Sequence, residues 1–123
     1  MKRGEVWTVS GGTAYAGKPR PAVVVQEDAF DSTASVTVCP FTSDSTVAPL
    51  FRLTIDPDQA NGLRSISCLM VDKITTIAKT KLGKRIGVLN GADVARLNHA
   101  MIVFLGLAAP ARKRKRGPLG GKI

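Results

Sequence analysis

Arg20 and Thr42 are the residues of this sequence whose types and positions could support a chemical step. Arg20 lies between Pro19 and Pro21, which restrict the backbone on both sides of it at the start of an apolar run. Thr42 follows another apolar run, at a position where loop residues often carry function. The guanidinium fork and the hydroxyl could donate hydrogen bonds to a phosphate whose oxygens gain charge during a reaction. RNA suits such a sparse site, because its 2′-hydroxyl is a nucleophile already held beside the phosphodiester bond.

The sequence offers no histidine-based or metal-based site. Its single histidine, His99, projects from the side of a predicted helix opposite an apolar stripe, which indicates a solvated side chain. The two cysteines, Cys39 and Cys68, lie inside apolar runs without metal-ligand spacing, which favours buried, reduced thiols. We therefore expect neither a metal nor a cofactor. Because an arginine keeps its proton up to a pKa above about 12, the group that accepts the 2′-proton stays unassigned.

Residue chemistry alone also allows plainer interpretations of the two candidate residues. An arginine in a loop is usually solvated, and a threonine after a strand usually serves turn formation. On these grounds the chain is a basic β-domain whose task is open.

The charge of the chain is concentrated at its C-terminus. The 123 residues have a net charge of +9, and residues 112–122 hold six Lys or Arg and no acid, which leaves 12 basic against 9 acidic residues elsewhere. A basic domain with a more basic tail suits a polyanionic partner, because Lys and Arg displace counterions from phosphates. A solubilising role explains the tail equally well. We expect one domain at residues 1–110 and a disordered basic tail at 111–123.

No segment of the sequence is expected to enter a membrane. The longest apolar run, residues 100–110, is shorter than the roughly 20 residues that span a bilayer. The N-terminus passes directly into a polar strand without the pattern of a signal peptide. We therefore expect a soluble, cytoplasmic protein.

The elements that must position the candidate residues are mostly strands. Alternating or β-branched runs predict strands at Glu5–Val9, Ala22–Gln26, Ser35–Phe41, Leu50–Ile55, Ile66–Val71, Lys73–Ile77 and Lys84–Leu89. Asn90 is typical of a helix N-cap, with Asp93 three residues later. An apolar stripe follows at helical spacing and is expected to be core: Val94, Leu97, Met101, Phe104 and Leu105. The chain is thus predicted to be mainly β, a small curved antiparallel sheet or open barrel with a C-terminal α-helix packed against it.

Ordered segments of the chain resemble the MazF/PemK toxin family. The segments are Arg3-Gly4-Glu5-Val6-Trp7, Arg20-Pro21-Ala22-Val23-Val24-Val25, Val36-Thr37-Val38-Cys39-Pro40-Phe41-Thr42-Ser43, Gly62-Leu63 through Ser67 with Val71-Asp72-Lys73-Ile74-Thr75-Thr76-Ile77, and Lys84-Arg85-Ile86-Gly87 before the helix. The match covers about residues 2–107 in the family's order and leaves only the tail outside.

The resemblance implies a fold, an activity and partners. The fold is the small SH3-like barrel of the MazF/PemK/CcdB toxins, assembled as a homodimer. The activity is that of a type II toxin: a sequence-specific endoribonuclease, or mRNA interferase, that cleaves single-stranded mRNA without a metal and so inhibits translation and growth. The partners are single-stranded RNA and a cognate antitoxin whose acidic, disordered segment blocks the RNA groove.

The resemblance also assigns roles to individual residues. The family's catalytic arginine falls on Arg20 and its catalytic threonine on Thr42. In the PemK branch an aspartate contributes, and Asp72 occupies that position. The residues expected to bind or support RNA are Lys18, Ser43, Ser67, Asp72 and Lys73. Because Met70, Lys73 and Thr75 stand where the family often has Arg, Gln and Arg, the cleavage motif of the family is not carried over.

Two other functions remain as alternatives. The first is a non-enzymatic gyrase poison of the CcdB branch, whose members act through a Trp-Gly pair near the C-terminus. Here the only tryptophan is Trp7, at the other end of the chain, which disfavours this function. The second is a catalytically silent nucleic-acid-binding barrel whose affinity comes from the basic tail.

Overall fold

The computed structural model describes residues 1–10, 18–44 and 51–108, so the predicted tail at 111–123 lies outside the described residues. The strands are β1 Glu5–Val9, β2 Arg20–Val24, β3 Ser35–Thr42, β4 Arg52–Ile55, β5 Ser67–Met70, β6 Thr75–Ala78 and β7 Leu82–Val88, followed by helix α1 at Gly91–Phe104. Short 3-10 turns occur at Asp28–Phe30, Val71–Lys73 and Lys79–Lys81. The prediction of a mainly β chain with a C-terminal helix is confirmed. Among the described residues, no helix combines the length and the apolar character needed to cross a membrane.

The strands form one antiparallel sheet in the order β4-β5-β3-β2-β1-β7, with β6 also paired to β3. Strand β3 is the corner of this sheet. Its first half pairs with β6 through Ser35–Val38, and its last two residues pair with β5. Pro40 lies where the partner changes, and its missing N–H suits a point at which regular pairing is interrupted. The corner places Thr42 at the end of β3, beside β5.

Strand β2 is buried on both faces, as its run of β-branched residues predicts. Val23 and Val25 belong to a core cluster that also contains β4, β5 and the helix. Ala22 and Val24 belong to a second cluster on the other face, closed by Trp7 and neighbouring apolar side chains. Because β2 is held from both sides, the position of its first residue, Arg20, is fixed by the packing of the residues that follow.

The helix begins as the sequence predicts and is packed over only part of its length. The Asn90 side chain accepts a hydrogen bond from the Asp93 N–H at 2.8 Å, which confirms the predicted N-cap. Leu97 is buried against the core. The prediction that the whole apolar stripe is core is wrong for its last turn, where Phe104 is 45% and Leu105 56% exposed. Helical periodicity identifies an apolar face but not the surface that covers it.

The two cysteines are free thiols, as predicted, but they differ in burial. Cys39 is fully buried in β3, and burial, with a smaller contribution from Asp72, raises the pKa of its thiol to about 12. Cys68 in β5 is only half-buried, so the expectation of two buried thiols holds for Cys39 alone.

Candidate active site

A cleft of about 500 Å³ opens where β1 and β3 end and β2 begins. Two cations line it, Arg20 and Arg64. Hydroxyl side chains are the other polar part of the described lining: Thr8, Thr42, Ser43, Ser65 and Ser67. Phe41, Leu63 and Ile86 contribute apolar surface. The described lining therefore combines positive charge with hydrogen-bond donors, which is the composition that binds phosphate oxygens.

The two predicted catalytic residues come from neighbouring strands. Strand β2 pairs with β3 through Ala22 opposite Pro40 and Val24 opposite Val38. Continued by two residues, this register places Arg20 level with Thr42. Both residues line the cleft, so the structure brings together the pair that the sequence analysis selected.

Thr42 is held by a turn that leaves its hydroxyl proton available. Its Oγ1 accepts a hydrogen bond from the backbone N–H of Asp44 at 3.1 Å, and the side chain is half-buried. A hydroxyl has one proton to donate and two acceptor positions. Because the turn uses an acceptor position, the proton of Thr42 can still be donated to a group in the cleft.

Arg20 is exposed at the start of β2. Over residues 1–10, 18–44 and 51–108, no carboxylate lies within ion-pair distance of Arg20 or Arg64. As far as the described residues are concerned, both guanidinium groups are therefore open to an anion that enters the cleft.

The other predicted site residues fall into two groups. Ser43 and Ser67 line the cleft. Thr42 of β3 pairs with Cys68 of β5, so continuing this register by one residue places Ser43 level with Ser67. Lys18, Asp72 and Lys73 do not line the cleft. Lys18 is exposed and precedes Pro19, which does line it, whereas Asp72 and Lys73 lie in the 3-10 turn that follows β5.

Asp72 is bound by Arg52, the first residue of β4. The Arg52 Nε donates to Asp72 Oδ1 at 2.8 Å, and a terminal nitrogen of Arg52 donates to Oδ2 at 3.2 Å. The Arg52 hydrogen bonds hold the pKa of the Asp72 carboxyl below its usual range. Asp72 is thus an ionised partner of a neighbouring strand, separate from the cleft lining.

Sequence reasoning missed three polar residues of the cleft, Thr8, Ser65 and Arg64. Arg64 and Ser65 stand between Gly62-Leu63 and Ser67, inside a segment that resembles the toxin family, and this position was the available signal. No local pattern distinguishes Arg64 from other exposed arginines. Within the described part of the chain, no group of three or more His, Cys, Asp or Glu side chains could hold a metal ion.

Comparison with known proteins identifies relatives over nearly the whole chain. Residues 2–105 match the family model described as PemK-like, MazF-like toxin of type II toxin-antitoxin system. A probable endoribonuclease MazF of Mycolicibacterium smegmatis is 49% identical over 108 residues, covering 88% of this chain and 99% of that protein. Endoribonuclease MazF9 of Mycobacterium tuberculosis is 32% identical over 116 residues, covering 87% and 98%.

Solved structures share the fold. A mycobacterial endoribonuclease in complex with its cognate antitoxin superimposes with a TM-score of 0.74 at 25% identity, covering 89% of this chain and 99% of that one. The MazE–MazF structure of Deinococcus radiodurans gives a TM-score of 0.68 at 19% identity, covering 86% and 95%, and shows the likeness of fold alone. These structures confirm the predicted fold class.

Proposed function

Because the chain belongs to the PemK-like, MazF-like toxins of type II toxin-antitoxin systems, we propose that this endoribonuclease cleaves single-stranded mRNA in the cleft between β2 and β3, at a short sequence motif and without a metal. Cleavage of mRNA stops translation and therefore growth. The comparisons favour neither the gyrase poison nor the silent nucleic-acid-binding barrel, since two similar proteins, from M. smegmatis and M. tuberculosis, are named as endoribonucleases.

The observation that carries the proposal is the pairing of Arg20 with Thr42 in one cleft, with no carboxylate of the described chain neutralising Arg20. The 2′-oxygen of RNA attacks the adjacent phosphorus, and the bond from phosphorus to the 5′-oxygen of the next nucleotide breaks. The products are a 2′,3′-cyclic phosphate and a 5′-hydroxyl. Arg20 stabilises the charge that builds on the non-bridging oxygens, and the Thr42 hydroxyl donates a further hydrogen bond to them. In the net reaction the 2′-hydroxyl loses one proton and the departing 5′-oxygen gains one, and we assign neither transfer to a residue.

We assign supporting roles in RNA binding to the remaining predicted residues around Arg20 and Thr42. Ser43 and Ser67 supply hydroxyl donors on the β3–β5 side of the cleft. Lys18 and Lys73 are exposed cations outside the lining, and we assign them to electrostatic attraction of RNA. Asp72 contributes indirectly by holding Arg52 at the start of β4.

The same cleft is the proposed contact with an antitoxin. One solved relative is described as an endoribonuclease in complex with its cognate antitoxin. An acidic, disordered antitoxin segment would present carboxylates to Arg20 and Arg64, the groups that otherwise meet phosphates. Binding of this segment would exclude RNA by occupying the same donors.

We assign homodimer formation to the end of the helix. The apolar side chains exposed there are Ile102, Val103, Phe104, Leu105 and Leu107. Large apolar side chains exposed together in one short segment are typical of an interaction site in soluble domains. A second copy would cover it, and we place the dimer in the cytoplasm, where mRNA is available.

The decisive test is incubation of the purified protein with a long RNA of mixed sequence in EDTA, followed by mapping of the cut sites. We expect cleavage at a recurring short motif, with 5′-hydroxyl ends that accept a radioactive phosphate without prior phosphatase treatment. Cleavage that appears only when Mg²⁺ is restored would contradict the metal-free mechanism. Inhibition of DNA gyrase by a preparation that leaves all RNA intact would instead support the gyrase alternative.

A further inference from the structure

We propose that residues 56–66, between β4 and β5, form a preformed arm that holds Arg64 in the cleft as a second cation, and that Arg64 binds a phosphate next to the one that reacts. This inference rests on the proposed function, because it places an RNA strand in the cleft. It assigns Arg64 to substrate binding and leaves the chemical step to Arg20 and Thr42.

The arm is built around Asn61, whose side chain is completely buried. Asn61 Oδ1 accepts hydrogen bonds from the backbone N–H groups of Asp58 at 3.2 Å and Leu63 at 2.9 Å. Asn61 Nδ2 donates to the backbone oxygen of Asp56 at 2.9 Å. One amide side chain thus ties together three points of the arm, and a buried amide that is hydrogen-bonded through both its oxygen and its nitrogen favours a single conformation.

Asp58 fastens the arm to the helix. Its Oδ1 accepts from the N–H groups of Ala60 at 2.9 Å and Asn61 at 2.7 Å. Its Oδ2 accepts from the side chain of Asn90 at 3.1 Å, and Asn90 is also the N-cap of the helix. The arm and the first turn of the helix therefore share one hydrogen-bonded network.

Close backbone packing fastens the arm to strand β7. The Ala60 carbonyl accepts a hydrogen bond from the Val88 N–H at 2.8 Å. A side chain on Gly87 would overlap the backbone of Ala60 and Asn61, and one on Gly62 would overlap the backbone of Ile86. Gly62 also has φ +72°, a conformation that other residues rarely adopt. Glycine is therefore needed at both positions for the arm to lie this close to β7.

Arg64 is the charged group that this arm presents to the cleft. The preceding residue, Leu63, is half-buried against the main core cluster, so the backbone that carries Arg64 is anchored. The Arg64 side chain is exposed, lines the cleft with Arg20, and has no carboxylate within ion-pair distance among the described residues. A guanidinium on a fixed support binds a phosphate with little loss of backbone entropy, which favours this side chain for substrate binding.

The test compares Arg64→Ala with Lys2→Ala, a matched loss of one exposed positive charge. The antiparallel register of β1 and β2 places Val9 beside Arg20, so Lys2 lies at the far end of that strand pair from the cleft. For Arg64→Ala we expect KM for RNA cleavage to rise about 5- to 20-fold, with kcat within about twofold of wild type. The slope of log Kd against log salt concentration should fall by about the amount that one phosphate contact contributes. Lys2→Ala should change KM by less than about twofold.

A binding measurement separates the failure of this inference from the failure of the proposed function. The probe is a single-stranded 2′-deoxy oligonucleotide of the cleaved sequence, or of mixed sequence if no cleavage occurs, because it lacks the attacking hydroxyl. Its Kd should rise about 5- to 20-fold for Arg64→Ala and should be partly restored in Arg64→Lys. Equal Kd values for Arg64→Ala and Lys2→Ala would overturn the assignment whether or not the wild-type protein cleaves RNA. A fall in kcat without a change in KM would also overturn it.

The preformed state of the arm has its own readout. Hydrogen exchange of the free wild-type protein should show the N–H groups of Asp58, Asn61 and Leu63 protected to a similar extent as those of β7, since all three are donated within the arm. Exchange of these amides at the rate of an open loop would show that the arm forms only when a ligand binds.

Discussion

Arg20 and Arg52 are each the first residue of a strand, β2 and β4, but they differ in what surrounds the guanidinium group. Arg52 is bound by both oxygens of Asp72, and its side chain is 15% exposed. Arg20 is exposed in the cleft and, within the described residues, has no carboxylate partner. Residue type and place in the strand are therefore the same, and the carboxylate makes the difference. An arginine whose guanidinium is bound by a carboxylate stabilises the fold, whereas one open to solvent remains available to a substrate anion.

The strongest test of this comparison is Arg20→Ala, for which we expect the largest effect. The substitution removes the cation beside the reacting phosphate, and loss of such a group lowers kcat by roughly 10³-fold or more. Since the Arg20 side chain is exposed, the melting temperature of the Arg20→Ala protein should stay within about 1 °C of wild type. Cleavage of a fluorogenic RNA and thermal unfolding of the same preparation measure the two quantities.

Arg20→Lys is the matched variant for that experiment, because it keeps the charge and removes the fork of donors. We expect its kcat to lie between those of wild type and Arg20→Ala. A folded Arg20→Ala protein with normal cleavage would show that Arg20 is not the catalytic cation of the cleft.

The converse variant, Arg52→Met, should lower stability and leave catalysis nearly intact. It leaves the carboxylate of Asp72, which is 22% exposed, without its partner. Exposed ion pairs contribute about 0–1 kcal/mol and fully buried ones about 3–5 kcal/mol when one partner is removed, so we expect about 1–2 kcal/mol of lost unfolding free energy here. Urea unfolding at pH 7 measures it, and kcat of the folded variant should remain within about threefold of wild type.

Arg85→Met is the control for Arg52→Met. Arg85 pairs with Glu5, but its side chain is 49% exposed, so the loss of unfolding free energy should be about 0.5 kcal/mol or less. Equal losses in the two variants would show that the Arg52–Asp72 pair is an ordinary surface pair. A loss of cleavage in folded Arg52→Met would place Arg52 in the RNA site and remove the contrast with Arg20.

The difference between Arg20 and Arg52 shows which features of the site could be predicted from the sequence and which depend on the folded chain. The N-cap Asn90 was predicted because capping depends on residues three positions apart. Arg20 and Thr42 were selected by family resemblance, and their location at strand ends brought them together as expected. The Arg52–Asp72 pair was not predicted, because it depends on the register that sets Arg52 opposite Met70 in β5. Arg64 was missed for a related reason: its place in the cleft depends on a buried asparagine and close backbone packing against β7.

The smallest expected effect is on the pH dependence of stability. Because Arg52 lowers the pKa of Asp72 in the folded protein, the pair stabilises the fold above the unfolded pKa of about 4. That contribution is lost as the pH falls through the lower, folded-state pKa. The melting temperature of wild type should therefore exceed that of Asp72→Asn by a constant amount from pH 7 to about pH 5, and the difference should shrink below about pH 4.

Asp72→Asn is required in that experiment because hydrogen bonds also lower the pKa of Asp58 and Asp31, so acid destabilises both proteins. Only the difference between the two melting curves reports on Asp72. In an Arg52→Met background the substitution should lose most of its pH-dependent effect, because the largest cause of the lowered pKa is gone and only the backbone N–H of Asp72 and the charge of Lys73 still lower it. A melting-temperature difference that persists unchanged to pH 2 would mean that Arg52 does not lower the pKa of Asp72. Arg52 and Arg20 would then differ only in how far their side chains are buried.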